Sequence, residues 1–144
     1  MDVRLIDATR VSQARAEMGS GFVRILGYFK EDGIKSVRAI EDAMRQRNPA
    51  ALVIPAHTLK GESYQFGAQR LGQMAEEIEM VARRCVEYRE SPEELIETVV
   101  ALRGCFSETI ATLESDSSPL VQRRATFGRK ADAGPGFGRL SSNG

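Results

Sequence analysis

The sequence predicts an all-α protein: an antiparallel up-down four-helix bundle with a short leading helix and a disordered C-terminal tail. Three observations predict it. Apolar residues recur at three- and four-residue spacing through the first 115 residues, and period-two alternation is hard to find. Prolines, glycines and capping residues divide that pattern into segments with short connections, which makes neighbouring helices antiparallel. Beyond about Ser115 the periodicity stops.

Residues 9–18, "TRVSQARAEM", fit the leading helix, and Gly19-Ser20-Gly21 breaks it. The first bundle helix carries Phe22, Ile25/Leu26, Phe29, Val37, Ile40 and Met44 at helical spacing and runs to about Arg47. Gly33 falls on the same stripe, where it either splits the helix or admits a close neighbour. Asn48-Pro49 reads as an N-cap followed by proline at the first helical position. The second helix then runs to about Phe66, with Gly67 ending it. Pro55 lies inside and has no N–H for the carbonyl of Ala51, so it should kink or restart the helix. The third helix covers about 69–87, with Leu71, Met74, Ile78, Ala82 and Cys85 on one side. Ser91-Pro92-Glu93-Glu94 has the pattern of a capping box. It opens a fourth helix carrying Leu95, Val99, Leu102, Phe106, Ile110 and Leu113.

The chain, 144 residues, suits one domain with one core, here 1–115, followed by a tail, 116–144. Formal net charge is zero, yet the tail holds five Lys/Arg against two Asp, while 1–115 holds 15 Lys/Arg against 18 Asp/Glu. A mildly acidic body argues against nucleic acid as the main partner. The tail is rich in Gly, Ser, Arg and Pro and cannot bury enough apolar surface to offset chain entropy. Its "GPGFG" lacks the preceding strand and following Lys-Ser/Thr of a phosphate-binding loop. Cys85 and Cys105 read as small buried hydrophobes, not a disulfide framework. No apolar leader opens the sequence and no stretch suits a membrane span, so a cytoplasmic protein is expected.

His57 is the only histidine. On the second helix Leu52, Ala56, Leu59, Ser63 and Phe66 share one sector, the expected core face. His57 lies roughly opposite, among Val53, Lys60, Gly61 and Tyr64. Helical phase therefore turns the imidazole outward. An exposed neutral imidazole is nucleophilic and can carry a phosphoryl group. Lys60, one turn on, can bring an ammonium to such an anion. Gly61 clears volume on the same face, at ~1 kcal/mol of helix stability relative to alanine. Taken singly, Lys60 reads as a solvated lysine and Gly61 as a packing notch; together beside His57 they say more.

With those residues in place, "AHTLKGESYQFGAQRL" is similar to the signature of histidine-containing phosphotransfer (HPt) domains: His-x-x-Lys-Gly, with a glycine ten residues past the histidine, here Gly67. The resemblance extends from the leading helix through Leu113 and leaves out the tail. It implies a four-helix bundle whose exposed histidine shuttles phosphoryl groups between receiver-domain aspartates in a phosphorelay. By position, His57 would be the phosphoacceptor, Lys60 the cation beside it and Gly61 the clearance residue. Glu79 matches a place where some members use glutamine near the imidazole, and Arg83 one where some carry a basic residue. Equally, these two would make an exposed i,i+4 ion pair. Tyr64, Glu62 and Pro55 depart from the family pattern and bear on partner choice.

The implied reaction is reversible in-line phosphoryl transfer, which relies on positioning and charge stabilisation. The resemblance leaves the carboxylate cluster and Mg²⁺ to the receiver, of a response regulator or hybrid histidine kinase; this chain needs no cofactor or metal. It would be a phosphocarrier without its own ATP site rather than an enzyme. Val53, Ile54 and Tyr64 are expected to form part of the docking surface. A carboxylate-bridged metal bundle fails for want of a second histidine. The rival reading is a non-phosphorylated helical adaptor that binds and regulates receivers. Lys60 and Gly61 beside His57 favour transfer, since an adaptor needs neither.

Overall fold

The structure, a computed structural model, describes residues 3–116. Five α-helices follow one another: α1 (Ala8–Met18), α2 (Phe22–Arg45), α3 (Pro49–Gln65), α4 (Gln69–Tyr88) and α5 (Ile96–Asp116). Helices α2 to α5 are the bundle. No strand occurs among the described residues. The expected disordered tail lies outside the described residues, apart from Asp116, which ends α5. Residues 3–110 pack as one unit, and Ala111–Asp116 continue α5. No described helix is long and apolar enough to cross a membrane.

Side-chain caps start two of the five helices. The Asp7 side chain accepts hydrogen bonds from the backbone N–H groups of Thr9 and Arg10 and caps α1. Gly19–Gly21 form a 3-10 turn, so the expected break is a tight connection into α2. Asn48 caps α3 by accepting from Ala51 N, with Pro49 next, as the sequence predicts. Helix α2 ends at Arg45, short of the expected Arg47, which has a left-handed φ of 52°. The capping box before α5 does not form. Glu93–Leu95 make a 3-10 turn without a side-chain cap. Glu93 pairs with Arg47 and Glu94 with Arg84, so ion pairs to residues distant in sequence hold the carboxylates that the local pattern assigned to the cap.

The core runs along the bundle axis. Phe66 stacks on Phe29 at a centroid distance of 5.1 Å and meets Phe22 edge-on at 5.6 Å; Phe106 of α5 meets Phe29 edge-on at 6.2 Å. All five residues of the expected α3 core face are buried. Gly33 does not split α2. A Cβ there would lie 2.4 Å from the Phe106 ring, so this glycine admits the neighbouring helix. Pro55 is likewise passed without a restart: α3 is one helix from Pro49 to Gln65.

The segment before α1 is tied across the α3–α4 turn. Asp7 N donates to Gly67 O at 2.8 Å, and Arg70 Nε donates to Val3 O at 2.9 Å. Gly67 has φ +76°, and a Cβ on it would meet Val11 and the Asp7 carbonyl at about 3 Å. Its glycine therefore serves both the turn and the crossing chain. The turn sets the register of the α3–α4 hairpin: Tyr64 lies against Gly72 and His57 against Glu79.

Candidate functional site

The one histidine stands on the outer face of α3 with its side chain 61% exposed. Ala56 and Leu59, its near neighbours in sequence, are fully buried, so helical phase alone accounts for its outward position. Its Nδ1 lies 3.0 Å from Glu79 Oε2 on α4.

Glu79 is the centre of the cluster. It is buried, against the exposed ion pair that is one of the two sequence readings. Arg83 donates to the same Oε2 from Nε at 3.0 Å and Nη2 at 2.7 Å. Lys60 Nζ lies 2.9 Å from Oε1. That oxygen is enclosed, and the Lys60 ammonium is the cation beside it. Burial pushes the Glu79 carboxyl pKa up, but Lys60, Arg83 and His57 outweigh it and hold the value down at about 2. The group is therefore ionised at neutral pH. An ionised carboxylate only accepts hydrogen bonds, which assigns the imidazole proton to Nδ1 and leaves the lone pair on Nε2. The charged side chains around the imidazole, two cations and one carboxylate, sum to one net positive.

The other expected residues divide. Gly61 is exposed, and a Cβ on it would meet nothing within 4 Å. The packing-notch reading thus has no neighbour to support it. Ile54 is 75% exposed and Val53 half-buried. Tyr64 shares the His57 face by phase, but its ring is turned onto α4. The phenol donates to Glu76 Oε1 at 2.8 Å, and the ring fills the space that a Cβ on Gly72 would need. Burial, then the Glu76 bond, pushes the phenol pKa up to about 12. Glu62 faces Asp32 on α2 instead of the imidazole; burial first, then Asp32, raises its pKa to about 7.

Sequence reasoning did not single out Gly72 or Glu76. The signal was available in the hairpin register, because the pairing that sets Glu79 beside His57 also sets residue 72 beside Tyr64. The burial of Glu79 was likewise legible from phase, four residues after Ala75 and three before Ala82, both buried.

The sequence model of the Hpt domain family matches residues 24–115, which contain this cluster. Among solved structures, the chain is similar to histidine-containing phosphotransfer protein B (HptB) from Pseudomonas aeruginosa PAO1. That likeness has a TM-score of 0.69 and 21% sequence identity, and covers 85% of this chain and 98% of the other. At that identity it speaks to the fold. No curated protein matches the chain.

Proposed function

The chain belongs to the Hpt domain family, and from that premise we propose that His57 accepts a phosphoryl group from a receiver-domain aspartate and passes it to another receiver. Histidine phosphotransfer in a phosphorelay is the role that membership carries. The finer reading rests on one observation above all: the sole imidazole is exposed, with Nδ1 occupied by Glu79 and Nε2 left as the outward nucleophile.

The step follows from that arrangement. The Nε2 lone pair attacks the phosphorus of the aspartyl phosphate in line, and the P–O bond to the aspartate breaks. The carboxylate leaves with the bonding pair. Nδ1 keeps its proton, so the ring gains positive charge as the N–P bond forms, and the Glu79 carboxylate stabilises it. Lys60, one helical turn from His57, turns from Glu79 Oε1 to the phosphoryl oxygens, while Arg83 stays on Oε2. In the reverse step an aspartate oxygen attacks phosphorus and the N–P electrons return to Nε2. Mg²⁺ belongs to the receiver, which offsets charge on the phosphoryl group. Gly61 gives the partner room beside the imidazole, and exposed Ile54 with half-buried Val53 offers it apolar contact. The chain acts as a phosphocarrier, and its exchange takes place in the cytoplasm.

The test is incubation with a receiver domain charged by acetyl phosphate, followed by assay for acid-labile, base-stable phosphate. The label is expected on the wild type and absent from His57→Gln with the helical signal unchanged. Label that survives His57→Gln would sink the assignment. Receiver binding without any label would favour the adaptor reading.

A further inference from the structure

Tyr64 stands seven residues after His57, two helical turns along the same face, with Gly61 between them. Helical side chains lean toward the N-terminus and cover the turn before their own Cα. A tyrosine at 64 free to follow that tendency would lie over Gly61, on the surface that flanks the imidazole. The ring instead lies across α4. Gly72 makes this possible: a Cβ there would sit 2.6, 2.8 and 2.9 Å from the ring atoms Cε1, Cδ1 and Cζ. Glu76, one turn further along α4, accepts the phenol hydrogen at 2.8 Å. Glycine inside a helix costs stability relative to alanine. Gly61 and Gly72 both carry that cost, one with open space beside it and the other filled by the Tyr64 ring.

We propose that Gly72 and Glu76 are positioning residues that hold Tyr64 against α4, and that Tyr64 so held keeps the surface over Gly61 open to the receiver. Tyr64 is then a specificity-determining residue, and its rotamer sets whether the imidazole can be approached. This rests on the phosphotransfer reading for its kinetic consequence, and on α3–α4 geometry alone for the ring position. The raised phenol pKa agrees with a ring that is partly buried and bonded.

Gly72→Ala tests it in the full chain. The added methyl meets the far end of a side chain that is 37% exposed and has room to swing outward. Two measurements are made. Proton NMR contacts of the Tyr64 ring should move from residue 72 to residues 60 and 61. In single-turnover transfer from a receiver domain charged by acetyl phosphate, the half-saturating receiver concentration, the KM of this step, should rise roughly tenfold while the limiting rate holds, because access is impaired and the imidazole is not. The double variant Gly72→Ala/Tyr64→Ala should bring KM back to that of Tyr64→Ala alone. Glu76→Gln should shift KM in the same direction by less. A ring that stays over residue 72 overturns the proposal, as does an unchanged KM or a rise that persists when Tyr64 is removed. Should the wild type take no label, the phosphotransfer reading falls, and the ring contacts alone then decide this one.

Discussion

Glu79 holds together His57, Lys60 and Arg83, which sequence reasoning joins only as His57 with Lys60 and Glu79 with Arg83. Removing its carboxylate frees the imidazole to rotate and to exchange tautomers, and leaves Lys60 and Arg83 without their shared anion. Glu79→Ala is expected to slow transfer ~10–100-fold, by analogy with the loss found when the partner orienting a metal-bound imidazole is removed. Glu79→Gln keeps an acceptor oxygen for Nδ1–H but no charge to stabilise the phosphorylated ring, so its rate should fall between the two. Nitrogen NMR of His57 should report the tautomer becoming mixed in the alanine variant. A transfer rate equal to wild type in Glu79→Ala would make the cluster structural only. The outward imidazole was readable from phase, because the core face of α3 is unambiguous. The buried carboxylate opposite it was harder to weigh, since a charged residue inside a bundle is stable only with partners drawn from another helix.

At the level of the helix, three glycines in equivalent backbone conformation carry opposite expectations. Gly33→Ala drives a methyl into Phe106, which is held edge-on against Phe29. Overpacking of this kind costs about 1–3 kcal/mol and exceeds the gain of about 1 kcal/mol in helix propensity. Gly61→Ala and Gly104→Ala meet no atom within 4 Å and should each stabilise by up to ~1 kcal/mol. Only Gly61→Ala should then slow transfer, because only that methyl lies beside His57. Thermal melts and labelling rates on the three variants check the set, and a Gly61→Ala protein with full transfer rate would remove the clearance role. The sequence left Gly33 open between two readings because the deciding atom belongs to α5. The failed capping box has the same origin. Ser91 to Glu94 satisfies the local pattern, but Arg47 in the α2–α3 turn and Arg84 on α4 compete for its carboxylates.

For the whole molecule, two glutamates set opposing slopes of stability against pH. Glu79 has its folded-state pKa lowered from an ordinary 4.5 to about 2. Its contribution is present above 4.5 and is lost as pH falls toward 2. Glu62 has its folded-state pKa raised from 4.5 to about 7. The folded chain then binds that proton more tightly than the unfolded chain, so its contribution is present below 4.5 and is lost as pH rises through 7. The melting temperature should peak near about pH 5 and decline on both sides. Glu62→Gln should flatten the neutral limb and leave the acid limb in place; an unchanged neutral limb would remove Glu62 as its cause. The number, order and antiparallel sense of the helices were legible because each stripe repeats locally. The lateral fit between stripes, as at Asp32–Glu62 and Tyr64–Gly72, depends on register.

Every side chain assigned to the chemistry lies within residues 53–83, on the single α3–α4 hairpin. Contacts this close along the chain need only a short loop to close, so the cluster can assemble as early as its two helices pair. The remaining helices bury the back of that hairpin and supply none of its reacting groups. Evolution, or an engineer, can therefore rework α1, α2 and α5 for stability or new attachments while a short stretch of chain keeps the His57–Glu79 cluster whole.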